Sequence, residues 1–183
     1  ESGGEFLSQA LVEMPQLSEL VLADLMIEEE GLIPVFRTLQ TNEIRLRILN
    51  VSLNCMSSEA LEALMAILPE QTALEELDVG GNYFGSLSCC RLVKALDDCC
   101  PKLRRLVLSQ NEIGSRAAEL IVKMCGRREA MECLEMDGNH IVDATMEAIR
   151  AHLEEMNKME LLMEMANNDY EEYDDDVVLD EFL

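Results

Sequence analysis

Carboxylates recur along this chain at intervals that would bring them side by side. Glu19, Glu76, Asp78, Glu135 and Asp137, with Arg105 among them, fall at matching points of a recurrence of 28 to 29 residues. Paired carboxylates can act as general acid and base or bind hard cations. Both uses need a pocket or a shifted pKa, and nothing in the flanking sequence points to either. No catalytic residue, metal ligand or cofactor is therefore expected. The open readings are a solvated polar face or an acidic docking surface for a partner protein with a basic face.

Other chemistry-bearing residues are equally unconnected. His140 follows a turn asparagine, and His152 belongs to a helical stretch. No GxSxG, P-loop or HExxH string occurs. "DVGGNYFG" from Asp78 is rich in glycine, but it sits where a strand turns rather than where phosphate would be cradled. The seven cysteines are odd in number, two pairs are adjacent, and no CxxC spacing is present. Small buried thiols in a reducing compartment, cytosol or nucleus, are the expectation. No run of 18 apolar residues would span a membrane.

What positions the carboxylates is a repeat. LSELVLADLMI starts at Leu17, LRILNVSLNCM at Leu46, LEELDVGGNYF at Leu74, LRRLVLSQNEI at Leu103 and MECLEMDGNHI at Met131. A degraded sixth copy, MELLMEMANND, starts at Met159. Positions one, four and six of each copy are apolar and point inward; three, five and seven face the other way, as alternation along a strand requires. Position nine is Asn54, Asn82, Asn111, Asn139 and Asn167, with Leu25 the one departure. Its amide is expected to satisfy backbone groups of neighbouring coils that would otherwise be buried unpaired. Each remainder reads as a helix: in "SSEALEALMAILPE", Ala60, Leu61, Leu64, Met65 and Leu68 share a face, a serine caps and Pro69 stops it.

This pattern is that of a leucine-rich repeat array. The expected class is α/β: a right-handed β-α superhelix with parallel strands on the concave face and helices on the convex face. Strands stack about 4.8 Å apart and helices need roughly 8–10 Å, so the stack must curve with its helices outside. Residues 1–158 form the repeats, with a partial unit over 1–16 and full units from 17, 46, 74, 103 and 131. Residues 159–168 read as a degenerate capping unit, a continuing helix being the alternative, and 169–183 as an acidic tail.

The ends shape the functional reading. Phe6, Leu7, Ala10 and Leu11 fall where the inward helix face of a preceding unit belongs, without that unit's strand. We expect a fragment of a longer array; a naturally short protein whose edge is covered by a partner is the alternative. Such an open edge is also a site for edge-to-edge self-association of the fragment. The tail includes Asp169, Glu171, Glu172, Asp174, Asp175 and Asp176. From Met159 onward ten acids occur without a Lys or Arg, and the net charge of the chain is −23. Such a chain repels phosphate backbones and anionic lipid, so nucleic acid and membrane are not expected partners. The bases Lys102, Arg104, Arg105, Arg127 and Arg128 are read as offsetting nearby carboxylates and helix C-termini.

The alternating unit length and "LRRLVLSQNEIG" resemble the ribonuclease-inhibitor class of repeats. Residues 131–176, with "MECLEMDGNHIVDATMEAIRAHLEEM" passing into an acidic tail, resemble the last repeats of the Ran GTPase-activating protein family. That resemblance implies a regulator of the small GTPase Ran in nucleocytoplasmic transport, cytoplasmic and at the nuclear envelope. The family's N-terminal repeats carry the arginine and asparagine tied to GTP hydrolysis. No position here matches either, and Asn111 and Asn139 are repeat-turn residues. The other reading is a non-enzymatic interaction module, such as the repeat region of an actin regulator, an innate-immune receptor or a ubiquitin-ligase substrate receptor.

Overall fold

The computed structural model describes residues 3–162 and Asn168. Five copies of the motif fold as five three-residue strands: β1 (Glu19–Val21), β2 (Ile48–Asn50), β3 (Glu76–Asp78), β4 (Arg105–Val107) and β5 (Cys133–Glu135). They form one parallel sheet in chain order. The helices α1 (Gly3–Val12), α2 (Glu28–Thr41), α3 (Ser58–Ile67), α4 (Ser86–Cys99), α5 (Ser115–Gly126) and α6 (Asp143–Glu155) alternate with them. The architecture is a leucine-rich repeat solenoid, strands on the concave face and helices on the convex.

The register follows the repeat residue for residue. Leu20, Leu49, Leu77, Leu106 and Leu134 pair across neighbouring strands and are buried. The position-six residues Leu22, Val51, Val79, Leu108 and Met136 are buried with them, completing an apolar layer between sheet and helices. No coil buries its apolar side alone, so the core is shared along the stack.

The asparagines hold the coils in step. Asn82 Nδ2 donates to the carbonyls of Val51 (3.1 Å), Val79 (2.9 Å) and Gly80 (3.3 Å), while its Oδ1 accepts from the backbone N–H groups of Asn54 and Met56, each at 3.1 Å. Asn54 and Asn111, one coil either way, and Asn139, one coil further, make the same kinds of bond. Asn167 lies outside the described residues. Its neighbour Asn168 does the work at the sixth copy, accepting from the Asn139 N–H at 2.8 Å. This last step is therefore 29 residues, one longer than the spacing of the motif suggested. Leu162 extends the sheet by a single parallel bridge to Leu134, after a 3-10 turn over Met159–Leu161.

Helix ends use polar side chains in two ways. Ser57 caps α3, accepting from the Ala60 N–H at 3.2 Å, and Pro69 enters a 3-10 turn over Leu68–Glu70. At α5 the cap is Gly114, and Ser115 reaches forward to accept from the Val142 N–H at 3.1 Å. Buried Ser86 does the same for the Gly114 N–H at 2.9 Å. At the N-terminal end α1 meets α2 through glycines. A Cβ on Gly4 would lie 2.2 Å from the Cα of Gly31, so nothing larger fits.

Candidate protein-binding surface

The side chains at positions two, three, five and seven of the coils form the wall of the concave face. Register places Glu19, Ile48, Glu76, Arg105 and Cys133 in one row and Val21, Asn50, Asp78, Val107 and Glu135 in the next. Asp137 stands beyond, accepting from Ser109 Oγ at 2.5 Å. All six wall residues named from the sequence lie on this face: Glu19 is exposed, and Glu76, Asp78, Arg105, Glu135 and Asp137 are half-buried.

What the sequence did not reveal is how tightly these charges are tied to one another. Arg47 pairs with Glu19 on one side and with Glu75 on the other at 3.2 Å. Arg104 takes Glu75 (3.5 Å), Glu76 (2.8 Å) and Glu132 (3.3 Å), and Arg105 takes Glu135 (2.5 Å) and, more loosely, Glu76 (4.0 Å). Ion pairs thus run across all five coils. Arg47 and Arg104 come from position two, just before each strand, where simple alternation assigns no face. The hydrogen bonds that Arg47 donates to Glu75 and Glu19 raise its pKa, and the one Arg104 donates to Glu132 does the same. On the wall, seven carboxylates stand against three guanidinium groups, leaving −4.

Asp78 is the exception to free solvation. Burial pushes its carboxyl above the ordinary value of 3.8, against the opposing pull of the Gly80 N–H at 2.9 Å and the neighbouring charge of Arg105. Asn50 donates to its other oxygen at 3.0 Å. The shift comes with full hydrogen bonding on an open face, so it marks a partly desolvated structural carboxylate rather than a poised acid. Among the described residues no group of three His, Cys, Asp or Glu could hold a metal ion.

The remaining candidates fall into place structurally. Arg128 donates to the Leu96 carbonyl at 3.0 Å and to the Cys100 carbonyl, and pairs with Asp97 at 3.0 Å, tying the C-terminal turn of α4 to the next coil. Burial raises the thiol of Cys100 to about 11 and that of Cys125 to about 12, and drives Cys89 higher still. These are packing residues; only Cys55 among the described cysteines is exposed. Buried Gln71 was also unforeseen: it accepts from the Leu46 N–H at 2.8 Å and donates to the Ile44 carbonyl at 2.9 Å, clasping two coils where their strands begin. The tail carboxylates Asp169, Glu171, Glu172, Asp174, Asp175 and Asp176 lie outside the described residues. No helix among the described residues is long and apolar enough to cross a membrane.

Comparison with known proteins agrees with this architecture. The leucine-rich repeat family profile matches residues 46–65 and 99–122. RAN GTPase-activating protein 2 of Arabidopsis thaliana is 25% identical over 124 residues, covering 68% of this chain and 23% of that protein. The chain thus spans about a quarter of the length of the curated relative it matches. Two solved structures superpose with TM-scores of 0.68: the actin-binding site 2 of leiomodin-1, 16% identical over 86% of this chain and 90% of that one, and the tropomodulin C-terminal domain of Caenorhabditis elegans, 13% identical over 87% and 93%. At those identities the likeness is one of fold. The chain is a leucine-rich repeat solenoid, similar in sequence to a Ran GTPase-activating protein.

Proposed function

We propose that this chain is a protein-binding repeat scaffold that belongs to a GTPase activator acting on the small GTPase Ran, in the cytoplasm and at the nuclear envelope. The observation that carries the reading is the similarity to RAN GTPase-activating protein 2 over two thirds of the chain. The wall supports it physically: a rigid, net acidic concave face suits a partner with a basic one. Here the chain contributes a surface that steers and seats the partner, and supplies no reacting group of its own.

The direct test mixes Ran·GTP with this chain and, separately, with the natural polypeptide in which the chain occurs. Binding and phosphate release are followed together. Binding by both, with stimulated release from the natural polypeptide and little from this chain alone, is expected. No binding of Ran·GTP by either would remove Ran from the proposal and leave only the protein-binding scaffold.

A further inference from the structure

The rim where the strands turn into the helices changes character along the stack. In coils 1 to 3 it carries Leu25, Met26, Leu53 and Tyr83 with 54%, 80%, 45% and 67% of their surfaces exposed, and exposed Cys55 stands between them. Neighbouring coils are about 4.8 Å apart at the strands and wider toward the helices, so Met26, Cys55 and Tyr83, at one position of successive coils, follow one another along the rim. In coils 4 and 5 the residues matching Met26, Cys55 and Tyr83 are Glu112 and His140. Their N–H groups bond back to Phe84 (2.8 Å) and Ile113 (3.0 Å), drawing the loop onto the preceding coil.

At the position of Met26, Cys55 and Tyr83 the backbone shows the same division, since Glu112 and His140 are not left-handed. Met26, Cys55 and Tyr83 have φ of 49°, 50° and 59°, and Leu53 has 57°. Left-handed φ is costly for large side chains and is the ordinary province of Gly and Asn. The Leu53 position is left-handed in every coil, and the others fill it with glycine or a polar residue: Asp24 (φ 55°), Gly81 (65°), Gln110 (53°) and Gly138 (68°). Folding alone would therefore favour small or polar residues at these points, yet Met26, Leu53 and Tyr83 are large and face water. Strained, exposed apolar residues gathered in one strip indicate a binding use.

Charge identifies the occupant. Residues 1–36 and 48–90, which include this whole rim, contain no Lys or Arg and fourteen Asp or Glu. Exposed Asp24 adjoins the strip directly, and Asp78 stands on the wall two residues before the turn at Gly80 and Gly81. We propose that the rim of coils 1 to 3 docks a linear protein segment presenting one large apolar side chain between Lys or Arg residues. The site is separate from the ion-paired wall and does not depend on Ran being the partner.

The test uses three short peptides on a Gly-Ser background: Leu or Phe flanked by Arg, the same with the apolar residue replaced by Ser, and the same with Arg replaced by Glu. Cys55 lies within the strip, so its alkylation by N-ethylmaleimide, followed by mass spectrometry in the unsubstituted chain, reports occupancy. The first peptide should slow alkylation about tenfold more than either control. In parallel, Met26→Asn, Leu53→Asn and Tyr83→Asn combined should weaken binding of the first peptide about tenfold. Because Asn suits left-handed φ, that variant should melt no lower than the parent. Equal protection by the Ser peptide, no protection by the apolar one, or undiminished binding by a folded triple variant would overturn the proposal. The Cys55 result stands whatever the stability of the variant.

Discussion

Asn54 donates its backbone N–H to the side-chain oxygen of Asn82 at 3.1 Å, so two residues at the same point of successive coils are directly bonded. Asn139 and Asn168 repeat that relation at 2.8 Å. Between them, Asn111 and Asn139 accept from the N–H groups of Phe84 and Ile113 of the preceding coils, so the repeat asparagines form a ladder of coil-to-coil bonds along the stack, in the same direction as the sheet.

Removing a rung should be costly. Asn82→Ala leaves the buried N–H groups of Asn54 and Met56 without their acceptor, while the Val51, Val79 and Gly80 carbonyls keep bonds from Asn54, Asn111 and Leu53. Each buried group left unsatisfied costs about 1–3 kcal/mol, some of it recoverable through water, so a loss of about 3–5 kcal/mol is expected by urea unfolding. Asn50→Ala, on the half-buried wall, should cost about 1 kcal/mol. Equal losses for the two would dispose of the ladder as the main polar tie.

Asp78 makes the stability pH-dependent in a definite direction. Its folded pKa lies above the unfolded one, so it lends stability below the ordinary 3.8 and withdraws it as pH rises through the folded value. Asp78→Asn keeps an acceptor for the Gly80 N–H and removes the buried charge. The variant should match or exceed the parent at pH 7 and lose that advantage below pH 3.8. Urea midpoints measured at both pH values decide it; a variant weaker than the parent only at pH 7 would reverse the sign.

The ion pairs of the wall restrain its own field. Arg104 sits among Glu75, Glu76 and Glu132; Arg104→Gln removes one positive charge from the wall and frees Glu132, while Glu75 keeps Arg47 and Glu76 keeps its looser contact with Arg105. Association with a polyarginine peptide should be faster for the variant than for the parent at low salt, and the two should converge as salt screens the wall over about 10 Å. Stopped-flow rates across ionic strength measure this. A variant with unchanged rate at every salt concentration would mean that the pairs do not moderate steering.

Much of this was legible in the sequence, for a physical reason. A parallel stack forces equivalent residues into register, so the period alone places Leu49 beside Leu77 and Asp78 beside Val107. The period says nothing of residues that occur once. Gln71 has no counterpart in the other coils, and its clasp is visible only when Ile44 and Leu46 are seen beside it. The sequence has Arg104 offsetting nearby carboxylates, as it does, but not its particular partners nor the Arg47 bridge, because these side chains reach sideways from before the strand, outside the alternation that assigns faces. The shift to Asn168 was hidden because two asparagines adjoin, and either satisfies the pattern. Exposure of the apolar rim follows from loop dihedrals, which composition does not encode.

The α1–α2 contact gives a local test. A Cβ on Gly4 meets backbone of Gly31 at 2.2 to 2.8 Å, where no side chain can give way. Gly4→Ala should undock α1, seen as faster hydrogen exchange in residues 3–12 with the sheet unchanged. Protection of α1 equal to that of the parent would show that the glycines are not what allows the approach.

The stacking itself is tested most directly by interstrand nuclear Overhauser effects among Leu49, Leu77, Leu106 and Leu134 in solution. A parallel ladder in chain order predicts amide-to-Hα contacts linking each of these with its immediate neighbours, at the strand spacing of about 4.8 Å. Contacts that skip a coil, or that run antiparallel, would contradict the solenoid and with it every surface described on it.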